Sequence, residues 1–195
     1  GAACDIATSA PEVELGDVDG DFDLDVLLGA RGERPRLFAN RLAENGGVLG
    51  FRDVTGASFV TGYATGNGHY EQEMGDMDGD GDLDIVGVNW LTNPGFVDNT
   101  LENDGAGFFS NVTALPQSTL DDTEADFLDY DNDGDLDLFV ANFSGQDKLY
   151  RNNNNGGANF SFTQVNFPSS NQTALDGEAA DLDGDGDYDI LVAND

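Results

Sequence analysis

Apolar residues recur along the chain in short runs, and each run directly follows a stretch in which every second residue is acidic. The four runs are Val26–Leu28, Ile85–Val86, Leu138–Ala141 and Ile190–Ala193. Continuous β-branched and aliphatic runs of this length are typical of strands that are buried on both faces. We therefore expect a buried strand at each of these positions.

Two further apolar segments follow in each complete repeat. The first of them is Arg36–Phe38, Thr100–Leu101 or Lys148–Arg151. After turns rich in Gly and Asn, which tolerate positive φ, comes Phe51–Thr55, Phe108–Thr113 or Phe160–Val165. The last segments alternate as half-buried strands do, and no segment has the periodicity of an amphipathic helix. Each repeat is thus predicted to form a small antiparallel sheet.

The acidic stretches define the repeat. They begin at Asp17, Asp76, Asp129 and Asp181, which are 59, 53 and 52 residues apart. A period of this length is too long for most helical repeats and suits a unit of several β-strands. The predicted repeats span about 11–66, 67–120, 121–175 and 176–195, and the fourth stops after its first buried strand. We expect a single repeat domain over residues 1–195, as a fragment of, or a subunit in, a larger assembly.

Each acidic stretch has the pattern of a calcium-binding loop. Calcium prefers about six to eight oxygen ligands, and carboxylates at loop positions 1, 3 and 5, a backbone carbonyl at position 7 and a closing acid can wrap one ion. The predicted side-chain ligands are Asp17, Asp19, Asp21, Asp25, Asp76, Asp78, Asp80, Asp84, Asp129, Asp131, Asp133, Asp137, Asp181, Asp183, Asp185 and Asp189. The predicted carbonyl ligands belong to Asp23, Asp82, Asp135 and Asp187.

The sixth loop position separates the first loop from the others. It is occupied by Gly81, Gly134 and Gly186 in the later loops, but by Phe22 in the first. A bulky residue is strained where positive φ is favoured, so we expect a weaker or distorted first site. The EF-hand alternative fails because it needs flanking helices and a bidentate Glu at position 12, where this chain has Leu28, Gly87, Val140 and Val192.

A second acidic set lies before the loops. Acids stand three and five residues before the first Asp of every loop: Glu12, Glu14, Glu71, Glu73, Glu124, Asp126, Asp176 and Glu178. Residues two apart on a strand point to the same face. Our hypothesis is that the four carboxylate pairs line a channel or groove between repeats and hold a second row of cations. The alternative is a solvated acidic face.

The segments Gly75–Ile85 and Leu149–Asn152, with the later Phe-containing strand, resemble the FG-GAP and VCBS repeats of integrin-like β-propellers. The resemblance covers nearly the whole chain after about residue 11. It implies all-β, β-propeller-like blades of four antiparallel strands, three complete and one partial, with calcium holding a loop between two strands. It also implies an extracellular adhesion, carbohydrate-recognition or scaffold module.

Propellers of this kind usually close a ring of about seven blades, which is more than this chain supplies. Three arrangements stay open: a fragment, an unusually small ring, or an open array whose ends are completed by neighbouring copies. Open arrays polymerise unless they are capped, and a head-to-tail contact that does not close makes a filament.

Charge restricts the partners. The chain has 39 acidic and 7 basic residues and a formal net charge of -32, and 20 of the acids lie within the four loops. Such a chain repels itself unless cations neutralise it, and it is a poor partner for nucleic acid or anionic membranes. No stretch is long and apolar enough to insert in a membrane. Weak Asp-rich calcium sites fill at extracellular calcium concentrations, so we expect a secreted or cell-surface protein.

Four sequons, at Asn111, Asn142, Asn159 and Asn171, predict possible sites of glycosylation. The single cysteine, Cys4, has no partner within the chain for a disulfide. It is therefore a free thiol, an intermolecular bridge or an inert small side chain.

Three functions are compatible with these patterns. The first is a calcium-stabilised structural or adhesive protein that assembles with copies of itself, as in a fibre, or with other extracellular proteins or glycans. The second is a module that recognises glycans or proteins through exposed aromatic residues, for which Trp90, Tyr63 and Tyr70 are candidates. The third, an enzyme acting on polysaccharides, has little support. His69 is the only histidine, and calcium-bound Asp is not free to transfer protons.

Overall fold

The computed structural model describes residues 12–30, 35–61, 69–89, 97–116, 120–154, 161–168 and 173–195, and these residues form mainly antiparallel β-sheets. The first sheet contains β1 (Val13–Gly16), β2 (Asp25–Leu28), β3 (Arg36–Asn40) and β4 (Phe51–Asp53). The third contains β10 (Asp122–Leu128), β11 (Asp137–Asn142), β12 (Lys148–Asn152) and β13 (Phe162–Val165). Each sheet is one blade, with its strands in sequence order.

The second blade has one strand more than the first. Its own strands are β6 (Glu71–Gly75), β7 (Asp84–Val88), β8 (Asn99–Asn103) and β9 (Phe109–Ala114). A one-turn helix, α1 (Thr55–Ser58), leads from the first blade into β5 (Phe59–Thr61), which pairs in parallel with β9. The fourth blade is represented by β14 (Ala174–Ala180) and β15 (Asp189–Asn194). The predicted all-β fold with propeller-like blades, three complete and one partial, is therefore confirmed.

Successive blades lie face to face, with their first strands side by side. Strand β6 contacts β1 and β10, and β10 contacts β14. Each seam between blades holds its own apolar core, because both faces of the middle blades are covered. Between the second and third blades the core includes Val86, Val88, Leu138, Val140 and Tyr150. The all-buried patterns of β7 and β11 confirm the prediction for the apolar runs that follow those loops.

The last apolar run differs from its prediction. Strand β15 is largely exposed, although its sequence matches that of the buried strands. Within the part of the chain that the structure describes, only the third blade packs against this sheet, through the core that includes Phe139 and Ala174. An apolar run is buried on both faces only when a blade lies on each side of it.

Close packing between blades requires a small residue before the second loop. A Cβ atom added to Gly75 would lie 2.8 Å from Cδ2 of Phe127 and 3.0 Å from Cδ1 of Leu136, both in the third blade. Real Cβ atoms do not approach carbon this closely, so glycine lets the two blades meet at the point where the loop begins.

No helix among the residues with described structure is long and apolar enough to cross a membrane.

Candidate metal sites

Each acidic loop connects the first and second strands of a blade. The last residue of the first strand pairs with the closing Asp of the loop in all four blades: Gly16 with Asp25, Gly75 with Asp84, Leu128 with Asp137, and Ala180 with Asp189. This antiparallel pairing brings the two ends of the loop together. The sheet thereby fixes the position of the closing carboxylate.

The first Asp of each loop organises the turn that follows it. In the second loop Asp76 Oδ1 accepts hydrogen bonds from the amides of Gly79 (2.8 Å) and Asp80 (3.1 Å), and Oδ2 accepts one from Gly81 (3.0 Å). Its counterparts Asp17, Asp129 and Asp181 accept backbone hydrogen bonds in the same way. A short side chain with two acceptor oxygens is what such a turn requires.

The closing Asp connects the loop to the sheet. Asp84 Oδ2 accepts a hydrogen bond from the Met77 amide (2.9 Å), and Oδ1 accepts one from the Asn103 amide (2.9 Å). Asp25 and Asp137 have equivalent partners. Burial raises the pKa of Asp84 to about 7, and burial likewise raises the pKa of Asp25 and that of Asp137 to about 6. Each of these carboxylates therefore favours a compensating positive charge.

Loop positions 1, 3 and 9 converge in all four loops. In each loop three carboxylate oxygens, one per residue, lie within 4.8 Å of one another: Asp17, Asp19 and Asp25; Asp76, Asp78 and Asp84; Asp129, Asp131 and Asp137; Asp181, Asp183 and Asp189. These oxygens belong to residues that are adjacent in space because of the backbone hydrogen bonds above. Twelve of the predicted side-chain ligands are thus brought together as four triads.

The loops fit a hard cation. All donors in the triads are carboxylate oxygens, which calcium and magnesium prefer over nitrogen or sulfur. In the first loop Asp19 Oδ1 is buried and has no hydrogen-bond partner, so a bound ion would satisfy it. When bound, calcium would supply charge neutralisation and a rigid link between the two ends of the loop.

The Asp side chains at loop positions 5 and 7 do not belong to the triads. Asp80 Oδ1 accepts a hydrogen bond from the Asp82 amide (3.0 Å), and Asp21, Asp133 and Asp185 do the same for the residue two positions on. This turn uses one oxygen of each fifth-position carboxylate. The seventh-position side chains point to other partners where contacts are seen, as Asp23 Oδ2 accepts from the Ala43 amide (2.8 Å). Their carbonyls as metal ligands stay a prediction.

Phe22 has the positive φ that the glycines at the same position of the other loops predict. Its φ is 68°, while the equivalent Gly81, Gly134 and Gly186 have φ values of 98°, 93° and 97°. The ring is 95% exposed, so no packing offsets the strain. The positive φ expected at this position is found, and the three triad carboxylates of the first loop still converge, so a weaker or distorted first site stays a prediction.

A repeated asparagine at the end of the third strand was missed. The same two hydrogen bonds are made by Asn40, Asn103 and Asn152. The backbone N–H donates to the closing Asp of the loop, and the side-chain Nδ2 donates to the carbonyl of the Leu that precedes this Asp. Asn103 Nδ2 also donates to Val18 O of the preceding loop (2.9 Å), and Asn152 Nδ2 donates to Met77 O (2.8 Å). The available signal was the same residue type closing the third strand in three repeats.

The histidine, the sequon asparagines and the aromatic residues singled out in the sequence lie in different environments. His69 is fully buried, burial lowers its pKa to about 3, and a Cβ on Gly87 would lie 1.8 Å from its Nδ1, so it fills space in the second blade as a neutral ring. Asn142 is also buried and donates to Asp122 Oδ1 (2.6 Å), so the fold leaves no room for the glycan suggested by its sequon.

The sequon residue Asn111 donates its side chain to Asn99 Oδ1 (3.1 Å). Tyr70 is half-buried, and Cys4, Tyr63, Trp90, Asn159 and Asn171 lie outside the described residues.

These features define a class: a repeat protein of β-sheet blades in which every blade carries an Asp-rich loop able to hold a metal ion. Residues 76–140 and 129–192 match the FG-GAP-like repeat, and the chain belongs to this family. Repeats of this family are common in extracellular proteins and are typically binding or structural modules. Among curated proteins, none matches the chain.

Proposed function

We infer that this protein is an extracellular calcium-binding repeat protein with a structural or adhesive role. The observation that carries the inference is the convergence of three carboxylates in each of four loops, all built on the same strand pairing. The donor set and the Gly-rich turns favour calcium over magnesium, because calcium accepts flexible, carboxylate-rich sites with many oxygen ligands.

The proposed location follows from affinity and charge. Sites of this kind fill at extracellular calcium concentrations, and the net charge of -32 disfavours nucleic acid as a partner. Exposed apolar side chains lie on the first blade, including Leu15 and Leu24, and on the fourth, including Leu182 and Leu191. Exposed apolar surface supports assembly with other copies of the chain, as in a fibre, or with another extracellular protein.

The calcium sites can be tested by thermal unfolding. Calcium at about 100 times its Kd stabilises a protein by about 2.7 kcal/mol per site, because it binds the folded loops and not the unfolded chain. For a domain of this size, removing calcium with a chelator should lower Tm by roughly 5 to 10 °C for each site that empties. An unchanged Tm in excess chelator would refute the proposal.

A pair of matched variants assigns the effect to a loop. Asp131→Asn removes one charge from the third triad, whereas Asp53→Asn removes one charge from β4, in which Asp53 pairs with Arg36. We expect isothermal titration calorimetry to show one calcium ion fewer for Asp131→Asn and no change for Asp53→Asn. Electron microscopy with and without calcium then tests assembly, since filaments, rings and single particles differ in shape.

A further inference from the structure

The second acidic set forms a row along the first strands of the blades. We call it the axial row and define it by Glu12, Glu14, Glu71, Glu73, Glu124, Asp126, Asp176 and Glu178. One member in each blade holds the same position in the pairing of the first and second strands: Glu14 is opposite Leu27, Glu73 opposite Val86, Asp126 opposite Phe139 and Glu178 opposite Leu191. Because these strands lie side by side, the carboxylate pairs of successive blades face one another.

The carboxylates of the axial row act on each other electrostatically. Burial, then the charges of Glu124, Glu73 and Glu12, raise the pKa of Glu71 well above its ordinary value. Burial and neighbouring carboxylates raise the pKa of Glu73 to about 8 and that of Glu124 to about 8. Among the residues that the structure describes, the neighbouring charges that raise these three pKa values all belong to carboxylates, so negative charges lie together.

Glu71 provides an independent sign of a missing ligand. Its side chain is 5% exposed, and Oε2 is buried without a hydrogen-bond partner. The Ala125 amide of the next blade donates a hydrogen bond to this carboxylate, which leaves the second oxygen free. Oε2 of Glu12, in the preceding blade, is likewise buried and unpartnered. Buried carboxylate oxygens without donors are costly, so native proteins nearly always satisfy them.

The spacing of the row limits the kind of ion. Over the described parts of the chain, carboxylate oxygens lie within 4.8 Å of one another in the four loop triads and in a group formed by Asp21, Asp23 and Glu44, and none of these groups involves the axial row. A bare ion in a complete cage of side chains therefore does not fit. An ion bound here would have to keep part of its water shell, and calcium accepts water molecules among its ligands.

We propose that the axial row binds a partly hydrated divalent cation, with Glu71 and Glu124 as ligands from adjacent blades and Glu12 and Glu73 as neighbours. This ion is separate from the ions of the loops, because none of its ligands belongs to a loop triad. It joins adjacent blades at their first strands, where the carboxylates of the axial row come together. The competing explanation is that protons alone neutralise the row.

Glutamine substitution separates the two explanations. Glu71→Gln and Glu124→Gln keep the shape of the side chain and remove a charge, so both variants should fold. Each is compared with wild type and Asp53→Asn by thermal unfolding in chelator and in saturating calcium chloride. Bound calcium is counted by native mass spectrometry.

The proposal predicts a higher Tm of the variants in chelator and a smaller increase in Tm when calcium is added. In chelator, Glu71→Gln and Glu124→Gln should melt above wild type, because glutamine is neutral without the proton uptake that burial and neighbouring charges impose on the glutamates. In calcium chloride, their increase in Tm should be smaller than that of wild type, and each should bind about one calcium ion fewer. Asp53→Asn should behave as wild type in both calcium measurements. The same calcium count and the same calcium-induced increase in Tm for all variants would overturn the proposal, whatever happens in chelator.

Discussion

At the scale of single residues, Phe22 is the clearest conflict between side chain and backbone. It holds φ of 68° in a loop whose counterparts use glycine at the same position. The left-handed conformation costs a residue with a Cβ roughly 1 to 2 kcal/mol. Because the side chain is 95% exposed, packing does little to balance this cost.

Replacing Phe22 with glycine should therefore stabilise the protein. We expect Phe22→Gly to raise the free energy of unfolding by roughly 0.5 to 1 kcal/mol, which is the strain relieved less the entropy that glycine gains in the unfolded chain. Chemical denaturation in saturating calcium measures it. Phe22→Ala is the matched control: it removes the ring but keeps the Cβ, so it should gain little. Equal gains in both variants would show that the ring, and not the backbone, is responsible.

The sequence predicted the triads better than the full ligand set. Alternating Asp residues identify the loop, because only this pattern repeats with the same spacing before each buried strand. It does not show that Asp80 turns one oxygen back to the Asp82 amide, since that depends on local backbone geometry. Nor does it assign Asn103 to two loops at once, because the partner Val18 is 85 residues away.

At the scale of elements, a buried ion pair joins two strands of the third blade. Lys148 Nζ of β12 donates to Asp122 Oδ2 of β10 at 2.8 Å, and their side chains are 3% and 0% exposed. Asp98 of the second blade lies against Asp122, and its buried carboxyl has a pKa raised well above the ordinary value, first by burial and then by Asp122. Lys148 is thus the cation of a buried acidic cluster between blades.

Removing that cation should be costly. Lys148→Met leaves the Asp122 carboxylate buried without its charge partner, and we expect a loss of about 3 to 5 kcal/mol in the free energy of unfolding. The exposed pair Arg36 and Asp53, whose side chains are 35% and 41% exposed, provides the contrast. Arg36→Met should cost at most about 1 kcal/mol. Similar losses for the two variants in urea denaturation would contradict this reading of Lys148.

Element prediction succeeded where burial and local pattern agree. Strands β7 and β11 follow from continuous apolar runs, and both are covered on two sides. Strand β5 and helix α1 were not predicted, because segments of three and four residues carry too little periodicity. The position of β5 depends on its parallel pairing with β9, a contact between residues about 50 positions apart that no local pattern encodes.

At the scale of the whole molecule, negative charge makes stability depend on pH. Glu73 and Glu124 have folded-state pKa values of about 8, against an ordinary value of 4.5. Between these values the folded protein holds protons that the unfolded chain releases. Stability from this source is complete below about pH 4.5 and is lost as pH rises through about 8.

We therefore expect Tm of the metal-free protein to fall steadily between pH 5 and pH 9. Within the described segments, the charged groups that act on Glu73 are Glu14, Asp126, Glu12 and Glu178, and all of them raise its pKa, which fixes the sign. Scanning calorimetry of calcium-stripped protein across this range measures the slope. Saturating calcium should flatten it, since bound ions replace the protons. A rise in Tm with pH in the metal-free protein would contradict the prediction.

The asparagines that close the third strands have a consequence for how calcium is taken up. Asn103 donates to its own loop and to the loop of the preceding blade, and Asn152 does the same one blade further on. An ion that orders one loop also orders an asparagine on which the neighbouring loop depends, so the next ion meets a site already partly arranged. Filling should therefore be cooperative, and the calcium-binding curve should be steeper than that of independent sites, with a Hill coefficient above 1.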